Sequence, residues 1–326
     1  MSLRTLTRSH SRKAANQAAS KAPDLGAAEK TTLRRPTGSQ RTIFIAFLAP
    51  AVVLTVMFTV VPFVQSFPLM FQKWQGFGKA SFVGLENLNR LAQDREAAEA
   101  LWRTLVYTFW TTIGTVGVGT ALAVAFHRKI PFSRTLKFLA FLPVILPPTF
   151  VALAWKNALD PTFGWVNAIL RAINPELSQP WLANADAALP ITIVALICQY
   201  SGIPMILMLA ALNDIPESVN EAATLDGVNA WQRIRHITLP LSRDVLIVVT
   251  GLQLVANFKF LDSVYALTKG GPGRASDIVA TFVYRNAFDF GNFGYGSAAA
   301  MVSTVVIVGL SLAYTFFFRP QKMSRQ

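Results

Sequence analysis

The sequence predicts an all-α integral membrane protein of six transmembrane helices, and three observations carry that expectation. Of 326 residues, 52% are hydrophobic and only 14% charged, whereas soluble domains carry about 25% charged residues. Five stretches of the length needed to cross a bilayer contain no Asp, Glu, Lys or Arg. The basic residues punctuate those stretches and are unevenly shared between their two ends. A net charge of +13 invites a nucleic-acid reading. Nucleic-acid binders, however, gather their charge on a polar domain, so nucleic acid is not expected as a partner and a lipid bilayer is.

The uncharged stretches are 43–72, 104–126, 138–155, 187–213 and 290–318. A sixth, 245–267, is interrupted by Lys259 and Asp262 but has the length and position of a span. With the N-terminus inside, nineteen Lys and Arg fall on inner segments and ten on outer ones. The positive-inside rule then places both termini in the cytoplasm. Residues 1–42 hold nine Lys or Arg against Asp24 and Glu29 and lack the apolar core of a signal peptide. A transit peptide shares that composition; a disordered basic cytoplasmic tail is the expectation. Residues 43–318 form the membrane domain and 319–326 a second cytoplasmic tail. The single cysteine, Cys198, has no ligand-spaced neighbours and reads as a small buried apolar residue.

Within span three, "FLPVILPPTFVALAW" carries Pro143, Pro147 and Pro148. Each removes a backbone donor, so the helix is either statically kinked or lines a gate. In span four, "CQYSGIP" offers Gly202 and Pro204 as a point where the helix unwinds beside a path. On the outer side, "GWVNAILRAI" reads as a short interfacial helix with Arg171 on its polar face.

Between spans four and five the chain turns polar: "NDIPESVNEAATLDGVNAWQRIRHITLP", within the cytoplasmic segment 213–243. Asp214 and Glu217 have capping-box spacing, with Pro216 in the first turn. Ile215, Val219 and Ala222 share one face, and Gly227 sits where a left-handed cap would end the helix. A second helix starts at Asn229, has Trp231 and Ile234 on its apolar side, and stops before Pro240. The insert is thus helix, glycine turn, helix. It suits another protein's groove; the plainer alternative is a loop resting on lipid phosphates.

The spacing of this stretch, Glu-Ala-Ala, three residues, Gly, nine residues, Ile, one residue, Leu-Pro, resembles the EAA loop of the membrane subunits of bacterial ABC importers. The resemblance implies the type I ABC importer permease fold with a cytoplasmic coupling helix. It assigns Glu221, Ala222, Ala223 and Gly227 to docking on an ATP-hydrolysing subunit, and Ile237, Leu239 and Pro240 to seating the loop on the next span. "FVGLENLNRL", "WKNALDPTFGWVNAIL" and "FLDSVYALTKGGPGRASDIVATFVYRNAFDFGNFGYGSAAA" are similar to segments of maltose-type carbohydrate permeases, so the likeness extends over 43–318. Lys269 departs from it, since these permeases commonly have glycine there. The family implies a second, similar permease, two ABC ATPases and an extracytoplasmic sugar-binding protein in the bacterial inner membrane. The sequence has no GxxxxGK[ST] loop. A non-catalytic subunit is therefore expected, with ATP and magnesium held by the partner ATPases and no cofactor or metal of its own.

Ionisable and amide residues inside a span point to a solute path. Lys259 and Asp262 are three apart, placed to pair on one face of span five. Gln253 and Asn257 share another face, with Phe258, Phe260 and Tyr265 nearby. Snorkelling and helix-tying amides are the structural alternatives. A stand-alone secondary carrier would show internal repeats, and none is visible. A membrane enzyme would show a paired acidic metal motif, HExxH or a nucleophile elbow, and none is present.

Overall fold

The computed structural model describes residues 38–127 and 131–318, with side chains from residue 46 onward. The tail expected over 1–42, apart from its last residues, and that over 319–326 lie outside the described residues. The chain divides into two compact units, one ending at Val61 and the other beginning at Pro62. In the first, Gly38–Thr55 is helical and passes into a wide π-turn at Val56–Val60. Helix resumes over Val61–Leu69, so Ala46–Leu69 is a 24-residue apolar stretch of the length a span requires.

The second unit is organised around span two, a 33-residue helix over Arg95–His127. Asp94 opens it by accepting the Glu96 N–H at 2.8 Å, which satisfies one of the free donors of the first turn. Span two packs against span four and span five. Small residues allow that approach, as they do between membrane helices generally. A Cβ on Gly119 would stand 2.6 Å from the Ser201 carbonyl oxygen and 2.6 Å from Pro204 Cβ. Below that crossing, Ala123 packs with Met205, Met208, Leu209 and Leu212; above it, Tyr107 packs with Leu196, Tyr200 and Val264. Span six is one straight run, Phe293–Phe317.

Three expected spans are broken. Span three is not one helix over 138–155 but Ser133–Ile145 followed by Pro148–Ala158, bent by 102°. Leu146 is extended, at ψ 143°, as a residue before proline must be. Pro147 is extended as well, and Pro148 starts the new helix where its missing N–H is harmless. Span four bends by 43° at Ser201, between Ala185–Tyr200 and Gly202–Asn213. Pro204 cannot donate to Tyr200, which removes a bond at the bend. Span five stops at Phe258, nine residues short of the expected end, and a separate helix runs over Asp262–Thr268.

Two further expectations need correcting. Lys259 and Asp262 do not share a helix face and do not pair: Lys259 caps one helix, Asp262 opens the next, and both are exposed. Their spacing of three has meaning only inside a continuous helix. Cys198 is exposed on the outward side of span four, not buried. It lines an apolar cleft with Pro143, Phe150 and Trp165.

The short helix expected within 164–173 forms over Trp165–Ile173. Its buried Asn167 donates to the carbonyls of Leu159, Asp160 and Gln179 and accepts from Trp181 Nε1 at 2.9 Å. One amide thereby holds the whole outer segment together. At Lys269, where the carbohydrate permeases commonly have glycine, the backbone is left-handed at φ 52°. That conformation explains why glycine suits the position.

Gly119 and Gly117 test the central crossing. Gly119→Ala is expected to destabilise the folded chain by about 1–3 kcal/mol, because the neighbouring atoms are backbone or the rigid Pro204 ring and cannot yield. Gly117→Ala meets nothing within 4 Å and is expected to be neutral or slightly stabilising. Thermal unfolding of both variants in detergent measures the difference.

Candidate functional site

The polar insert holds two short helices joined by a closed turn. The first runs over Glu217–Leu225. The Asp214 capping box does not form. Asp214 instead ends span four, and the extended Pro216, at ψ 138°, sets the helix start at Glu217 with no side-chain cap. At the other end Gly227 adopts φ +70°. The Val228 N–H bonds to Ala223 O at 3.0 Å and the Gly227 N–H to Thr224 O at 3.2 Å. These are the paired bonds of a Schellman cap.

The small-residue pair is split by helix geometry. Ala223 is 4% exposed and faces inward, whereas Glu221 and Ala222 are exposed. Ala222 therefore does not share the buried face of Ile215 and Val219. Consecutive residues on a helix point about 100° apart, so both alanines cannot face one way.

Asn229 starts the second helix, as expected. Its side chain accepts from Gln232 N at 2.9 Å, and Gln232 Oε1 accepts from Asn229 N at 3.0 Å. Trp231 is 67% exposed instead of lining an apolar side, while Ile234 is half-buried. Nor does the helix stop before Pro240. Ala230–Arg233 widens into a π-turn over Ile234–Thr238 and continues through Leu239–Leu241. The wide turn closes with the Leu239 N–H on Ile234 O. Pro240, which has no N–H, then falls in the first positions of the next turn, where none is needed. Ile237 and Leu239 are half-buried and Pro240 is exposed. At Ser242 the insert meets Arg243–Phe258 at 73°. One further contact has no local signature in the residues. Arg233 Nη2 donates to Thr224 Oγ1 at 2.9 Å, stapling the second helix to the first.

Gln253 and Asn257 lie inside the chain, 4% and 0% exposed. Asn257 Nδ2 donates to Thr112 Oγ1 of span two at 3.0 Å. Sequence reading missed the surface they face. Thr104, Thr108, Thr111, Thr112 and Thr115 are all buried along span two, and their three- and four-residue spacing was the available signal. Gln199 of span four is also buried, its Oε1 accepting from Ser263 Oγ at 3.5 Å. Of the buried polar side chains of spans two, four and five, Tyr107 OH, Thr108 Oγ1, Thr111 Oγ1, Gln199 Nε2, Gln253 Nε2 and Asn257 Oδ1 have no hydrogen-bond partner among the described residues. An unmet buried polar atom costs about 1–3 kcal/mol, so this polar seam is costly to keep dry and closed.

The remaining candidates sit apart from the seam. Lys259 and Asp262 are exposed at the break after span five. Tyr265 is half-buried, its ring 4.7 Å from that of Tyr284 and 5.9 Å from Lys269 Nζ. Pro143 is half-buried within the first half of span three, and Pro147 and Pro148 form its corner. Gly202 and Pro204 are buried in helix contacts. A Cβ on Gly202 would meet the Ala140 carbonyl at 3.0 Å, and Pro204 lies against Gly119.

Comparison with known proteins agrees with this architecture. A family model described as the inner membrane component of binding-protein-dependent transport systems matches residues 115–320. Probable ABC transporter permease protein YurN of Bacillus subtilis (strain 168) is 32% identical over 283 residues, covering 85% of this chain and 96% of its own. The arabinooligosaccharides transport system permease protein AraP of the same organism is 28% identical over 269 residues, 82% of this chain and 85% of its own. A solved chain of a bacterial ABC transporter involved in the import of the polysaccharide alginate superposes with a TM-score of 0.76 at 21% identity, covering 87% of this chain and 97% of that one. The fold is accordingly that of a type I ABC importer permease. The broken spans, the insert and these matches together establish that the chain belongs to the inner membrane components of binding-protein-dependent transport systems.

Proposed function

We propose that the chain is a non-catalytic half of the translocation path of an ATP-driven sugar importer, coupled through residues 213–243 to ATPase subunits. One observation carries the coupling reading. The Glu-Ala-Ala helix ends in a left-handed glycine and is stapled to its neighbour by Arg233, so Glu221 and Ala222 stand outward on a braced element. Ile237, Leu239 and Pro240 belong to the helical run that joins this element to span five. ATP and magnesium are assigned to two partner ATPases. A second permease completes the path, and an extracytoplasmic binding protein delivers the solute. Both termini are assigned to the cytoplasm on the distribution of basic residues. The names of relatives that handle arabinooligosaccharides and alginate support a sugar or sugar derivative as substrate.

For the path itself, we assign Gln253 and Asn257 to solute contact in a conformer in which spans two and five part. In that conformer the amides exchange Thr112 for sugar hydroxyls. Lys259, Asp262 and Tyr265 flank its mouth, and Pro143, Pro147 and Pro148 mark a gate at the corner of span three. Gly202 and Pro204 are assigned to helix packing.

Three outcomes test these assignments in reconstituted complexes. On a Cys198→Ser background, Glu221→Cys and Ala222→Cys are expected to cross-link to the ATPase, and Ala223→Cys is not. Absence of cross-links from both exposed positions removes the docking assignment. Gly227→Val must place a β-branched residue at positive φ, costing about 1–2 kcal/mol. It should lower both transport and binding-protein-stimulated ATP hydrolysis while the protein still inserts. Gly227→Asn, which tolerates this conformation, should stay near wild type, since nothing lies within 4 Å of an added Cβ. Equal rates for the two would show that the turn does not matter for coupling. Gln253→Ala and Asn257→Ala should change transport affinity or sugar range with assembly intact; unchanged kinetics for every sugar tested would leave the amides as helix ties.

A further inference from the structure

Behind the insert lies a cavity of about 470 Å³, enclosed by its two helices and by the ends of spans two and four. Its polar wall is His127, Asn220, Arg233 and Thr238, and among the described residues no Asp or Glu lines it. Arg233 is the central feature. Its Nη2 is used by Thr224, its Nε is buried with no partner, and it makes no ion pair among the described residues. A guanidinium is always charged, and a buried donor without an acceptor is costly. An isolated charge in such a place is normally matched by an opposite one. Arg233 is half-buried, and no carboxylate among the described residues is placed to match it.

We infer that this cavity binds a phosphate-bearing anion, either a free phosphorylated solute or a lipid headgroup. Arg233 provides the charge and a planar fork suited to phosphate oxygens. The Asn220 amide and the Thr238 hydroxyl provide neutral donors, and His127 adds an imidazole at the rim. With no carboxylate on the wall among the described residues, only the neutral Thr224 hydroxyl competes for the guanidinium. Because the wall is drawn from both insert helices and from span two, a bound anion bridges all three and holds the insert in one orientation. Occupancy would therefore bias whatever the insert does. The site itself does not depend on the coupling assignment, and its test reads binding alone.

The test uses the full chain in dodecyl maltoside, in phosphate-free buffer, with ionic strength fixed by potassium chloride. One arm titrates inorganic phosphate; the other titrates phosphatidic acid into the same micelles. Thermal unfolding is the readout in both. A saturable rise in melting temperature is expected in at least one arm, and the arm that responds identifies the source. Asn220→Asp is nearly isosteric, keeps the Arg233–Thr224 contact, and places a carboxylate on the wall. It is expected to weaken the apparent affinity at least tenfold. Arg233→Gln should do the same; if loss of the staple lowers its unliganded melting point, Asn220→Asp carries the comparison. The inference is overturned if neither arm saturates, if equivalent chloride produces the same shift, or if Asn220→Asp responds as wild type does.

Discussion

A helix that breaks inside a bilayer frees backbone N–H and C=O groups where no water can reach them, and they must be bonded again within the protein. That constraint governs where this chain bends. The breaks at 146–147, at Ser201 and at 259–261 all occur where proline or a cap has already removed the donor or supplied its partner. Pro147 and Pro148 have no N–H to lose. Ser201 donates its N–H to Ile197 O at 3.1 Å and its carbonyl accepts from Met205 N at 3.1 Å, so the bend at span four keeps its ladder on both sides of Pro204. After span five, the Lys259 N–H returns to Ala256 O and the Phe260 N–H to Asn257 O. Phe260 then stacks on Tyr200 at 4.4 Å, covering the gap with a ring.

The same constraint gives the threonine face of span two its meaning. A threonine in a helix can return its hydroxyl to a carbonyl one turn back, as Thr104 does to Ala100 at 2.7 Å. Thr108 and Thr111 do not, and Thr112 is instead the acceptor for Asn257. Hydrogen bonds between membrane helices are worth only about 0.6–2 kcal/mol. The Asn257–Thr112 bond is therefore weak enough to be exchanged, while the unmet atoms around it favour any state that brings water or hydroxyls to them. On the proposed path, a packed seam and an open one are then two states of one set of side chains.

How much of this was legible beforehand follows from the range of each interaction. Spans one, two and six were readable because apolar length is a property of the sequence alone, and Gly227 because only one backbone conformation favours glycine after a helix. Asn229 was readable as a cap for the same local reason. Span three was expected to kink at its prolines, but the size of its 102° corner was not readable, because hydropathy counts Leu146, Pro147 and Pro148 as apolar and is blind to backbone angle. The Lys259–Asp262 pairing failed because it assumed a helix that ends at Phe258. The buried face of the insert was misassigned at Ala222 because two adjacent alanines carry no sign of which one is inward. Arg233–Thr224, nine residues apart across a turn, and Asn257–Thr112, 145 residues apart, depend on tertiary placement that no local pattern encodes.

These long-range contacts also decide how the insert can transmit force on the proposed coupling. A loop held only by its ends would dissipate a push. Here the Schellman turn, the Asn229–Gln232 box and the Arg233 staple fix the two short helices to each other. The second of them is helical through Leu241, so its only articulation with span five is the 73° corner at Ser242. Ser242 is 2% exposed and its hydroxyl has no partner, so the corner is packed yet not locked by a side-chain bond. A displacement at Glu221 is then carried as a rigid-body rotation to Ser242, and from there along Arg243–Phe258 to Gln253 and Asn257. The rotation ends at the Asn257–Thr112 bond, the one side-chain hydrogen bond between spans five and two among the described residues, and breaking it is the smallest event by which movement of the insert could open the seam.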